Sequence, residues 1–121
     1  MKGTNKGMPI PVKVGGVNYS IKMVDKNDDD ISEGNRGICY YEDLLIKIDK
    51  TLPKDLLKQT MYHELSHAIC EQTSFNSMLE DKLGENGYEI FIDNMGKVLY
   101  TLFHENNLKM IEDMVKGEFD V

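Results

Sequence analysis

A stretch without glycine or proline runs from Lys54 to Glu71, directly after Pro53. Proline suits the first turn of a helix, because its fixed φ is already helical and its missing N–H needs no partner there. At ~100° per residue, one face of this helix is apolar and carries Leu57, Met61, Leu65 and Ala68. A separate sector carries Thr60, His63, Glu64 and His67. We therefore predict a long helix with one face packed on the core and a second, polar sector that is a candidate functional site.

Short alternating patterns come before this helix and predict a small sheet. Gly15-Gly16 joins two alternating runs as a hairpin, and Ile38 to Tyr41 and Leu44 to Ile48 favour two more strands. We expect about four antiparallel strands packed on the helix. The polar segment 25–37 is predicted to be a loop, and its run of aspartates at 28–30 lacks the ligand pattern of a calcium loop, so it is interpreted as a solvated turn.

The C-terminal part of the chain predicts further helices and completes an α+β fold. After a Ser/Asn-rich connection and Gly84, a second helix is expected from about Gly87 to Phe103, and its apolar face carries Tyr88, Ile92, Met95, Leu99 and Leu102. A short third helix is expected from Leu108 to Val115. A chain of 121 residues fits one compact domain. We assign residues 1–9 to a flexible N-terminus and residues 10–121 to a single domain.

Charge and composition exclude several classes of function. The net charge of −7 would repel a phosphate backbone, so no nucleic-acid partner is expected. There is no apolar run of the roughly eighteen residues that span a bilayer, and no signal-peptide core, so we expect a cytoplasmic protein without a membrane partner. Cys39 and Cys70 show no CxxC spacing and are expected to be reduced.

The polar sector of the predicted helix suggests a metal site. His63 and His67 are four residues apart, so their side chains stand one turn above the other and can bind one ion. Glu64 lies beside them. One alternative is a pair of half-buried histidines without a metal. Another makes Cys70 a ligand of a closed structural site, but one straight helix does not readily aim positions 63, 67 and 70 at a single ion.

A catalytic zinc keeps three protein ligands, so a third ligand is needed. The remaining histidine, His104, falls at the far end of the second helix, and no metzincin-type third histidine follows the motif. The ligand is therefore expected to be a carboxylate, and the candidates are Glu71, Glu80, Asp81, Glu85, Glu89 and Asp93. Of these, Glu89 and Asp93 lie together on the predicted second helix, on a strip where Gly96 allows close approach of a neighbouring helix.

The sequence His63-Glu64-Leu65-Ser66-His67, followed by Glu89-Ile90-Phe91-Ile92-Asp93, resembles the gluzincin pattern HExxH then ExxxD. With the β-hairpins before it, over roughly residues 10–106, the chain resembles ImmA/IrrE-type metallopeptidases, which phages and mobile elements often encode. The resemblance implies a zincin-like minimal domain. It implies zinc bound by His63, His67 and Glu89, Glu64 as general base, and Asp93 bonded to a ligand histidine. Glu85 remains an alternative third ligand.

The predicted function is a zinc-dependent endopeptidase acting on a protein substrate, and the same resemblance implies that this substrate is a regulatory protein. Zinc lowers the pKa of its water toward ~7, and Glu64 would move the proton to the leaving amine. The oxyanion donor stays open among Tyr40, Tyr41, Tyr100 and His104. The strand from Leu44 to Ile48 is expected to be the edge to which a peptide adds. The alternative function is a non-catalytic zinc-containing binding or scaffold protein.

Overall fold

A computed structural model of the chain describes residues 9–32 and 34–105. The strands are β1 (Ile10–Val14), β2 (Val17–Val24), β3 (Gly37–Tyr40) and β4 (Leu45–Asp49). The helices of the described part are α1 (Asp29–Ser32), α2 (Lys54–Gln72) and α3 (Phe75–Glu105). The architecture is therefore α+β. The expected third helix, and nearly all of the expected flexible N-terminus, lie outside the described residues.

The sheet is mixed, with the strand order β1-β2-β4-β3. β1 pairs with β2 and β3 pairs with β4 in antiparallel fashion, but β2 and β4 are parallel, with Ile21 opposite Ile46. The prediction of an antiparallel sheet is therefore wrong at its centre. Alternation of apolar and polar residues is the same in both kinds of pairing, so it cannot report strand direction. The chain leaves β2, crosses to the outer position as β3, and returns as β4 between them.

The acidic segment before β3 is attached to the sheet. The ammonium of Lys47 on β4 lies 3.0 Å from the Asp28 carboxylate and 3.2 Å from that of Asp30. The hydrogen bond from Lys47 holds the pKa of Asp28 below its ordinary value. The expectation of a solvated turn is therefore wrong for Asp28 and Asp30. These ion pairs fix α1, and with it the chain that leads into β3.

The helix α2 begins and ends close to the predicted residues. It starts directly after Pro53 and extends one residue beyond the predicted end, to Gln72. Just before it, the Asp49 side chain accepts hydrogen bonds from the Thr51 backbone N–H at 2.9 Å and from its hydroxyl at 2.7 Å. This short turn joins β4 to the helix. The predicted apolar face lies on the sheet, where Ala68 is fully buried.

The helix α3 is longer than predicted, because a helical segment from Phe75 precedes the expected one. The two parts meet at Gly84, whose φ of 74° is non-helical. The sequence around Asn76 was interpreted as a polar connection. In the structure this asparagine is buried and donates to the Glu71 carboxylate at 2.7 Å. The Asn76 side chain also accepts a hydrogen bond from the Tyr88 hydroxyl, so contacts beyond the local sequence help to hold this segment in place.

The helix α2 lies between two apolar clusters. One cluster joins α2 to the sheet and is built on buried residues that include Tyr19, Ile21, Ile46, Ile48 and Ala68. The other is smaller and joins α2 to α3 through Cys70, Tyr88 and Ile92. None of the described helices combines the length and apolar character needed to cross a membrane.

Candidate metal centre

The two histidines of α2 face α3, on the side of the helix away from the sheet. Their ring centroids are 5.1 Å apart, as expected for residues separated by one helical turn. Their surroundings differ, because the side chain of His63 is 28% exposed and that of His67 only 13%. Burial lowers the pKa of His67 to about 4, with a smaller contribution from His63. His67 is therefore neutral at ordinary pH and has a lone pair available for a metal.

The helix α3 brings one carboxylate to both histidines. An oxygen of Glu89 lies 3.8 Å from Nε2 of His63 and 3.6 Å from Nε2 of His67. All three candidate ligand atoms lie within 4.8 Å of one another. Among the described residues, no other group of histidine, cysteine and acidic side chains meets this condition. The open alternatives Glu85 and Cys70 are not part of the group, and the Cys70 thiol contacts the sulfur of Met95 instead.

The close approach of the two helices depends on a glycine. A Cβ built on Gly96 would lie 3.0 Å from Cα and 3.1 Å from the backbone nitrogen of His63. Any side chain at this position would therefore push α3 away from the first histidine. The sequence predicted that Gly96 permits close packing, and this is where the structure places it. Glu89 lies two turns earlier on the same helix.

The three side chains fit a zinc ion chemically. Two imidazole nitrogens and one carboxylate oxygen form a known ligand set of catalytic zinc. Bonds of about 2.0–2.1 Å in tetrahedral geometry place ligand atoms roughly 3.3–3.5 Å apart. The distances of 3.6 and 3.8 Å are only slightly longer. The carboxylate is 52% exposed and forms the open side of the group.

Glu64 lies beside the candidate ligands and outside their group. It is buried, with 7% of its surface exposed. Burial, and to a smaller extent the neighbouring Glu89, raises the pKa of Glu64 to about 7. The backbone of Gly37 on β3 covers it so closely that an added Cβ would lie 3.1 Å from the Glu64 Cγ atom. A carboxyl group with this pKa can both accept and return a proton near neutral pH.

Each histidine has a partner behind it. Nδ1 of His63 lies 3.6 Å from an Asp93 oxygen, while the other oxygen of Asp93 is 3.0 Å from the Lys97 ammonium. Nδ1 of His67 lies 3.0 Å from the Tyr88 hydroxyl and 3.3 Å from that of Tyr41. Asp93 therefore lies near a candidate ligand histidine, at a distance longer than that of the hydrogen bond that the resemblance implies. Neither tyrosine was predicted behind His67.

Tyr88 was predicted only as part of an apolar face, and it has a second role as well. Its ring is buried with Cys70 and Ile92, as the helical periodicity indicates. Its hydroxyl also contacts His67. Hydrophobic periodicity indicates that the ring is buried, but it cannot predict a contact made by the hydroxyl of the same side chain. The one available signal was that Tyr88 directly precedes the candidate ligand Glu89 on a helix that faces the motif.

Comparisons of the chain with protein-family models, with curated proteins and with solved structures gave no match. The geometry of the site is therefore the basis for a proposed function.

Two cavities meet at His63 and Glu64. One has a volume of about 450 Å³ and is bordered by residues 34–37 and by α2, and the other, of about 330 Å³, also includes Cys39, Tyr41, His67 and Glu89. Both open beside β3, which lies at the edge of the sheet. The prediction that Leu44 to Ile48 forms this edge is wrong, since β4 lies between β2 and β3. The edge nearest the site is β3.

The candidate oxyanion donors are not gathered at the cavities. The Tyr40 hydroxyl is engaged by Asp30. Tyr41 lines the smaller cavity, but its hydroxyl lies behind His67. Tyr100 packs edge-on against Tyr62. The side chain of His104 lies outside the described part of the structure. No residue is assigned to this role.

Proposed function

We propose that this chain is a zinc-dependent endopeptidase of the gluzincin type, with a zincin-like packing of the sheet and α3 on the motif helix. The observation that carries the proposal is the separation of two roles on adjacent residues. His63 and His67 converge with Glu89 within 4.8 Å, while Glu64 is buried beside them and outside the group. A purely structural metal site has no use for a buried carboxyl group with a pKa near 7.

The proposed chemistry divides between the ion and the chain. Zinc, when bound, would act as a Lewis acid that polarises a carbonyl and lowers the pKa of water. Glu64 takes a proton from the attacking water and gives it to the leaving amine, so that the peptide bond breaks and the carboxyl group returns to its starting state. Burial raises the pKa of Glu64 in the metal-free chain, and a bound cation would favour the carboxylate, which is the form that accepts the proton.

The proposed substrate is an extended segment of a protein. The free edge of β3 offers backbone hydrogen-bonding groups to an added strand. Residues 35–37 line the cavity that contains His63 and Glu64. A strand beside β3 would therefore run past the candidate base. The proposal also includes a cytoplasmic location and no nucleic-acid partner, which the two free cysteines and the net charge of −7 support.

The experiment compares the full chain with Glu64→Gln. Both proteins are loaded with one equivalent of zinc, their metal content is measured, and they are incubated with a proteome-derived peptide library whose new termini are read by mass spectrometry. We expect equal zinc content, and cleavage that falls by at least ~100-fold in the variant, because the substitution removes proton transfer. Chelation of the parent should abolish the same cleavages.

Two outcomes would overturn parts of the proposal. If Glu64→Gln loses zinc, Glu64 is a ligand and the division of roles is wrong. If both proteins hold zinc and neither cleaves any peptide above the chelated control, the chain is the alternative, a zinc-containing binding or scaffold protein.

A further inference from the structure

A chain of three hydrogen bonds leads from His67 away from the candidate metal site. Nδ1 of His67 lies 3.0 Å from the Tyr88 oxygen, the Tyr88 hydroxyl donates to the Asn76 side-chain oxygen at 2.5 Å, and the Asn76 amide donates to Glu71 at 2.7 Å. Tyr88 and Asn76 are 5% and 6% exposed. The chain connects the last turn of α2, the first turn of α3 and the part of α3 beyond Gly84.

The direction of every bond follows from Glu71. A carboxylate can only accept, so the Asn76 group that faces it must be the NH₂. The amide oxygen of Asn76 then faces Tyr88, which must donate its single hydroxyl proton to it. The Tyr88 oxygen is left as an acceptor for His67. In this shorter contact, at 3.0 Å, Nδ1 of His67 therefore carries the hydrogen. The Tyr41 hydroxyl lies farther from Nδ1, at 3.3 Å, and can donate instead to the Tyr88 oxygen at 3.5 Å.

We propose that Tyr88, Asn76 and Glu71 form a positioning chain that holds His67 as the Nδ1–H tautomer, with the Nε2 lone pair directed at Glu89 and the ion. A neutral imidazole has one N–H, so the tautomer decides which nitrogen can bind a metal. The ligand role rests on the proposed function, whereas the tautomer does not. None of the three residues belongs to the candidate ligand group.

Asn76 provides the sharpest test, because it acts two bonds away from the imidazole. In Asn76→Ala the Tyr88 hydroxyl loses its acceptor and can turn its proton toward His67. In Tyr88→Phe the imidazole loses this acceptor and keeps only the Tyr41 hydroxyl, 3.3 Å away, which can donate its proton to Nδ1. Both changes should shift His67 from Nδ1–H toward Nε2–H. Tyr41→Phe is the matched control, since it removes a hydroxyl that lies 3.3 Å from the same nitrogen and 3.5 Å from the Tyr88 oxygen, while all three hydrogen bonds of the chain keep their donors and acceptors.

The tautomer is measured on the metal-free full chain, by ¹⁵N NMR of the imidazole rings, with His67 assigned by the loss of its signals in His67→Gln. The parent and Tyr41→Phe should show Nδ1–H, whereas Asn76→Ala and Tyr88→Phe should not. A second measurement is zinc affinity by chelator competition, where Asn76→Ala and Tyr88→Phe should bind ~10- to 100-fold more weakly than the parent and Tyr41→Phe.

A rescue experiment distinguishes a hydrogen-bonding role of these residues from a general role in packing. The double variant Glu71→Gln with Asn76→Asp exchanges donor and acceptor in the last bond and still offers Tyr88 an oxygen, so it should restore Nδ1–H. It also stands in if Asn76→Ala does not fold, because loss of Nδ1–H in the folded double variant contradicts the proposal. An Nε2–H parent, or an unchanged tautomer in Tyr88→Phe, would likewise overturn it. A parent that shows Nδ1–H and binds no zinc contradicts the proposed function alone.

Discussion

At the scale of single residues, burial moves the pKa values of Glu64 and His67 in opposite directions. In the folded chain the pKa of Glu64 is about 7, whereas its ordinary value is 4.5. This contribution to stability is present below pH 4.5 and is lost as the pH rises through 7. In the folded chain the pKa of His67 is about 4, whereas its ordinary value is 6.5. The imidazole therefore stays neutral down to about pH 4. That contribution is present above pH 6.5 and is lost as the pH falls toward 4.

We therefore expect these two contributions to the free energy of unfolding to change with pH in opposite directions in the metal-free parent. Glu64→Gln removes one of them, so its stability relative to the parent should increase between pH 4.5 and 7, by on the order of 3 kcal/mol. Urea unfolding in the presence of a chelator measures this difference at each pH. A difference that stays constant across this range would show that Glu64 titrates normally in the folded protein.

The acidic residues of α3 should differ in their effect on zinc. Glu89 contacts both histidines, whereas Asp93 contacts only His63, at 3.6 Å, and shares its charge with Lys97. Removing a ligand opens a coordination position, while removing an orienting partner typically costs ~10- to 100-fold in affinity. Glu89→Ala should therefore weaken zinc binding more than Asp93→Ala, as measured by chelator competition.

Glu85→Ala is the matched control for these variants and should change the zinc affinity little, because Glu85 is exposed and lies outside the candidate group. If Glu85→Ala releases the metal and Glu89→Ala retains it, the third ligand lies one helical turn earlier than the structure indicates.

At the scale of elements, the spacing of α2 and α3 depends on Gly96. Alanine usually stabilises a helix by 0.5–1 kcal/mol relative to glycine. Here the added Cβ would meet His63 backbone atoms at 3.0–3.1 Å, and overpacking of this kind typically costs about 1–3 kcal/mol. The clash should prevail, because the neighbouring atoms are backbone. We expect Gly96→Ala to lose about 1–2 kcal/mol in urea unfolding and to weaken zinc binding.

Val98→Ala serves as the control for this substitution, since Val98 lies on the same helix and is 63% exposed. It should change neither quantity appreciably. A gain in stability in Gly96→Ala, with zinc binding unchanged, would show that helix propensity and not the approach of the helices governs the result.

The elements differ in how far the sequence predicts them. The hairpin at Gly15-Gly16 and the helix after Pro53 were predicted, because their signals are local. The parallel pairing of β2 and β4 was not, since strand direction is decided by the path of the chain between them. The helical segment that starts at Phe75 was missed for a related reason, as Asn76 within it accepts a hydrogen bond from Tyr88, beyond the break at Gly84. The spacing of the candidate ligands can be predicted because it follows helical periodicity. The partners behind His67 cannot, because tertiary packing brings them together.

At the scale of the whole molecule, α3 is attached through a small cluster and a set of polar contacts. Zinc held by both helices would add a bridge between them. At free zinc 100-fold above the dissociation constant, the folded state gains about 2.7 kcal/mol. For a chain of this size we expect the melting temperature to rise by on the order of 10 °C. Calorimetry with zinc and with chelator measures the shift, and the same rise in Glu89→Ala would contradict a bridge through α3.

The uneven exposure of the three candidate ligands has a consequence for how fast a metal exchanges. Glu89 is 52% exposed, whereas the His67 side chain, 13% exposed, lies at the closed end of the group. An incoming chelator can displace the carboxylate first, while both imidazoles still hold the ion. Release would then proceed through a mixed complex, and its rate would increase with chelator concentration instead of staying at a fixed unimolecular value. The lifetime of the bound ion would depend on the competing ligands in the surrounding solution as much as on the protein.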